Sequence, residues 1–106
     1  MSLGDLFRQA KEIQQKTEAL QERISAIEVE GVSGAGLVRV TLNGKNELGK
    51  VEIDPSLLSE SERNTIQDLL VAAHRDAKTK LDARVADEMR SLTGMLGLPK
   101  GFGLNG

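Results

Sequence analysis

Residues 29–58 read VEGVSGAGLVRVTLNGKNELGKVEIDPSLL. Apolar and polar side chains alternate through this stretch, the period of a strand with one covered face. Val38, Val40 and Leu42 face one way, and Arg39, Thr41 and Asn43 the other. Val29 leads to Gly31 on the same pattern, and Val51 and Ile53 are expected inward with Lys50 and Glu52 outward. Reversals are expected at Ser33-Gly34-Ala35-Gly36 and at Asn43-Gly44-Lys45-Asn46, because Gly and Asn tolerate the positive backbone angles of tight turns. Asp54-Pro55 closes the unit, since proline offers no amide to continue a ladder. The stretch therefore predicts a three-stranded antiparallel β-meander.

Upstream the period changes from two to that of a helix. Leu3, Leu6, Ala10, Ile13, Thr17, Leu20, Ile24 and Ile27 recur at alternating spacings of three and four. This is a heptad seam of about three and a half repeats that requires a helical partner. Its candidate seam or dimer residues are Leu6, Ile13, Leu20, Ile24 and Ile27. Downstream, Ser59 and Glu62 have the spacing of a capping box. The apolar set Ile66, Leu69, Leu70, Ala73, Ala77, Leu81, Val85 and Met89 then predicts a second helix to about Leu92, with Leu57 and Leu58 packed beneath it. From Gly94 the chain reads GMLGLPKGFGLNG, whose glycines and proline oppose regular structure. Residues 94–106 are expected to form a flexible Gly-rich C-terminal tail whose Leu96, Leu98 and Phe102 are candidates to dock on a surface, and residues 1–93 a single α+β domain.

A helix of about 25 residues spans about 37 Å, whereas a seven-residue strand spans about 23 Å. Both helices must overhang the sheet. The exposed seam is then covered by the other helix or by a second copy, which predicts a homodimer with projecting helical arms.

The composition restricts function. The 106 residues carry a formal charge of −2, 39% hydrophobic and only 2% aromatic residues, and no cysteine. A core of Leu, Ile, Val and Ala in so small a domain favours association. Neither a disulfide framework nor thiolate chemistry is available, and nothing resembles a signal peptide or membrane span, so the cytoplasm is the expected location. Gly31-Val-Ser-Gly34-Ala-Gly36 is flanked by strands, not by a strand and a helix, so it is read as a hairpin turn and not a phosphate-binding loop. His74 stands alone, near the buried stripe of the second helix, and a lone imidazole builds no zinc site. No catalytic residues, cofactor, metal or small-molecule substrate are expected, because three short strands offer little concavity for a reaction.

The basic residues are the remaining candidates. Arg8, Lys11, Lys16 and Arg23 lie on the first helix, and Arg75, Lys78, Lys80 and Arg84 on the second. The first helix also carries Asp5, Glu12, Glu18 and Glu22, so DNA affinity requires these charges to be segregated in space. Paired arms in a dimer would present each basic cluster twice. The absence of Trp and Tyr removes aromatic stacking platforms, which favours duplex over single-stranded DNA.

The core pattern GxSGAGLVxVTxNGxxxxxxVxIDPSLL, the helix LFRQAKEIQQKTEALQERI and the closing GMLGLPKGF together resemble the YbaB/EbfC family over roughly residues 6 to 102. The resemblance implies a nucleoid-associated bacterial protein. It would bind double-stranded DNA as a tweezer-like homodimer, alter DNA conformation and influence gene expression. The rival expectation is a protein-interaction module that uses the helix seam or the tail without contacting DNA.

Overall fold

The computed structural model describes residues 2–95 and 97. Five regular elements run in the order α1 (Leu3–Ser25), β1 (Glu28–Ser33), β2 (Val38–Asn43), β3 (Leu48–Ile53) and α2 (Arg63–Met95). Ser2 starts α1, its Oγ accepting from the Asp5 amide at 3.2 Å, which satisfies one of the free amides of the first turn.

The sheet has the order β1-β2-β3, antiparallel throughout, as the alternation predicts. The first reversal is a 3-10 turn at Gly34–Gly36 in which Gly34, Ala35 and Gly36 all have positive φ. In the second, the Asn43 side-chain oxygen accepts from the amides of Lys45 at 2.9 Å and Glu47 at 3.1 Å. Gly44 is required there because any Cβ would overlap the carbonyl oxygen of Ile24 at the end of α1. In β2 and β3, Val38 pairs with Ile53, Val40 with Val51 and Leu42 with Leu48. A register shift between Thr41 and Leu42 leaves Gly49 as the extra residue.

One face of the sheet is covered by α2, whose Ala73, Ala77 and Leu81 form the core with Ile27, Val29, Val38, Val40, Leu42 and Leu57. The helix lies so close to β1 that a Cβ at Gly31 would overlap the Ala73 carbonyl. It covers β1 and β2 but stops short of β3. Val51 therefore points to the helix side, as expected, yet is 41% exposed, and Leu48 is 52% exposed.

Some expectations need correction. Ser59 and Glu62 form no capping box: Ser59 instead opens a 3-10 turn, Glu60–Glu62, without a side-chain cap bond. The Glu62 amide is already taken by the Ser59 carbonyl at 3.1 Å, and α2 begins only at Arg63. Leu57 is buried, but Leu58 is exposed. His74 is exposed as well, not part of the buried stripe. The second helix runs to Met95, three residues beyond Leu92. Leu96, Leu98 and Phe102 lie outside the described residues.

Beyond the sheet, the C-terminal half of α2 packs on the last part of α1. Leu20 is 3% exposed, and Arg23 bonds Glu88 across the two helices at 3.0 Å. Val85, Glu88, Met89 and Leu92 remain half-buried on α2, a helical spacing that marks the covered face. Toward its start α1 is uncovered, with Leu3, Leu6, Phe7 and Ile13 exposed. The molecule measures 71 × 23 × 15 Å, a small sheet with a long helical arm.

Candidate nucleic-acid interface

The seam divides in two. Leu20 and Ile27 are buried and Ile24 half-buried within the chain, whereas Leu6 and Ile13 stand exposed on the arm. The heptad seam thus begins as an intramolecular contact and continues as a free surface.

The candidate cations divide as well. Lys78 bonds Asp82 at 2.9 Å and Asn46 Oδ1 at 2.9 Å, tying α2 to the β2–β3 turn. Lys80 bonds Asp76 at 2.8 Å and the Glu30 carbonyl at 2.9 Å. Arg23 joins the two arm helices through Glu88. Arg8 lies 3.5 Å from Asp5 in an exposed pair at the arm tip. Lys11, Lys16, Arg75 and Arg84 make no ion pair among the described residues. Of these, Lys11 and Lys16 lie on α1 and Arg84 on α2 where it leaves β1. Arg75 instead lines an apolar groove beside β3.

Two further cations, Lys45 on the β2–β3 turn and Arg63 at the start of α2, also make no ion pair among the described residues. Sequence reasoning missed them because each stands outside the helical clusters. The other three cations among the described residues are occupied: Arg39 by Glu30 at 2.7 Å, Lys50 by Glu52 at 2.9 Å, and Arg90 by Asp87. Exposed pairs of this kind contribute little to stability, but they neutralise the cation that DNA would need.

The carboxylates of Asp5, Glu30, Glu52, Asp76, Asp82, Asp87 and Glu88 take part in these pairs, whereas Glu12, Glu18 and Glu22 of α1 make no ion pair among the described residues. The hydrogen bond from Lys80, and then the Val32 amide, hold the Asp76 carboxyl below the usual aspartate range. The Ser56 amide does this for Asp54, consistent with its reading as a turn residue. Lys50 lowers Glu52 and is itself raised by it.

The groove beside β3 has a volume of ≈ 420 Å³ and is lined by Val40, Leu48, Val51, Leu70, Val71, His74 and Arg75. Its walls are mainly apolar, and Val71 is 53% exposed. Among the described residues no group of three or more His, Cys, Asp or Glu side chains could hold a metal ion. No described helix is long and apolar enough to cross a membrane.

A sheet edge, an apolar groove and a two-helix arm are the surfaces this fold leaves open to contact. The chain belongs to the YbaB/EbfC DNA-binding family, whose profile matches residues 1–96. This is a non-catalytic family, and the protein is not an enzyme. Similar proteins are each named a nucleoid-associated protein. One from Bradyrhizobium sp. strain BTAi1 is 47% identical over 98 residues, 92% of either chain. Another, from Rhodopseudomonas palustris, is 48% identical over 99 residues, 93% of either chain. The crystal structure of an uncharacterized protein from Helicobacter pylori matches with a TM-score of 0.67 at 25% identity, over 82% of this chain and 91% of that one.

Proposed function

We propose that this protein binds duplex DNA as a homodimer on the bacterial nucleoid, in the cytoplasm, altering DNA conformation and thereby influencing gene expression. The family match across residues 1–96 carries this reading. The structure adds a physical basis, because Lys11, Lys16 and Arg84 are unpaired among the described residues and lie on elements that leave the sheet. They would contact phosphates, which favours shape and charge over base sequence.

The dimer forms at β3. This edge has an uncovered apolar flank in Leu48, Val51 and Val71, and a second copy supplies the missing cover. A two-fold axis through Val51 would place Lys50 of each copy opposite Glu52 of the other, so the strand is complementary to itself in antiparallel pairing. Arg75 then lies at the dimer contact instead of facing DNA. Each completed dimer carries two arms.

The rival reading draws on the exposed Leu3, Leu6, Phe7 and Ile13 of the arm, which would suit a protein partner. A mobility shift with duplex DNA separates the two. Binding through several phosphates weakens on the order of tenfold or more between roughly 50 and 200 mM salt. Absence of any shift at low salt refutes DNA binding and favours the protein partner.

A further inference from the structure

We propose that Asp76 and Lys80 limit assembly: they occupy an outward amide and an outward carbonyl at the centre of β1, so a second copy adds only at β3 and association stops at two. The inference rests on the homodimer reading above and concerns what prevents further growth.

The two edges of the sheet are treated differently. On β1, the outward amide of Val32 donates to Asp76 Oδ2 at 2.9 Å, and the outward carbonyl of Glu30 accepts from Lys80 Nζ at 2.9 Å. Those are two of the groups an added strand would use. Asp76 and Lys80 are also bonded to each other at 2.8 Å, so one ion pair bridges both positions. Ser33 Oγ donates to the Leu69 carbonyl at 2.6 Å and fixes the end of the same strand to α2. Gly31 makes the arrangement possible, because only a residue without a side chain lets α2 approach β1 this closely.

No side chain among the described residues bonds the outer backbone of β3. An unpaired edge is a template for another chain. With one such edge, two copies related by a two-fold axis close the assembly. With both edges open, each dimer would offer two further edges and association would continue. Lys80 is therefore removed from the DNA-contact set and given a role in assembly.

The test compares the full chain with Asp76→Ala/Lys80→Ala by analytical ultracentrifugation from micromolar to millimolar concentration. Val32 amide exchange is followed by NMR in both. The wild type is expected to remain a dimer, while the double variant grows into larger species and its Val32 amide exchanges on the order of tenfold faster or more. A double variant that frees the Val32 amide yet remains dimeric overturns the inference and leaves the homodimer reading intact. A wild type that sediments as a monomer overturns both. If the double variant loses its helical circular dichroism, Lys80→Ala alone, which frees the Glu30 carbonyl and breaks the bridging pair with Asp76, is read by growth beyond the dimer. Its remaining dimeric at millimolar concentration counts against the inference.

Discussion

At the scale of single residues, close approach and hydrogen bonding decide roles that residue type alone leaves open. Gly31 is a contact point between α2 and β1, not a turn glycine. Gly31→Ala forces the helix away from the strand and is expected to cost about 1–3 kcal/mol, read as a lower midpoint in urea denaturation. Asp76 makes a second prediction. Its folded pKa lies below its unfolded value, so its contribution to stability is present above about pH 4 and is lost as pH falls through the folded value. Val32 amide exchange, corrected for its intrinsic pH dependence, should rise below that point. Asp76→Asn should flatten this rise. Neither role was legible in the sequence, because Asp76 and Val32 stand 44 residues apart and Lys80 and Glu30 stand 50 apart.

At the scale of elements, periodicity reports which way a side chain points but not whether anything covers it. The alternation of β2 and that of β3 look alike in sequence, yet Val40 is buried and Val51 is 41% exposed. The difference lies in where α2 crosses the sheet. Val51→Lys, at the proposed two-fold axis, would bring like charges together and should give a folded monomer by sedimentation with unchanged circular dichroism. In α1 the same heptad is buried at Leu20 and exposed at Ile13, because the covered face of α2 reaches only part of the longer seam. Leu20→Ala removes the buried contact between the arm helices and should cost about 2–5 kcal/mol, with faster amide exchange along α1. The capping-box spacing at Ser59 and Glu62 failed for a local reason: backbone carbonyls in a 3-10 turn compete for the same amides.

At the scale of the whole molecule, internal pairing removes acids and cations in equal number, so DNA binding by an acidic chain depends on where the remaining cations stand. Lys78 and Lys80 look as basic as Lys11 and Lys16 in the sequence, but the first two are engaged by oxygens of the fold. Replacing Lys11, Lys16 and Arg84 with glutamine should lower duplex affinity by on the order of tenfold or more and flatten its salt dependence. Lys78→Gln should leave that dependence nearly unchanged. Equal losses from the two sets would place the DNA surface elsewhere.

The sequence by itself determined the local order of this protein. Strand alternation, turn residues and helix spacing act over a few neighbouring positions, and they specify the helix, meander and second helix in their correct order. The family signature was legible for the same reason, since much of it consists of turn and strand residues in the meander. Tertiary structure alone decided which edge of the sheet carries side-chain bonds, which strand is left uncovered and which cations among the described residues are without an ion pair. Those outcomes depend on the crossing of α2 over the sheet and on partners far away in the chain. A side chain's charge is written in the sequence, but whether it is available depends on what the fold brings beside it.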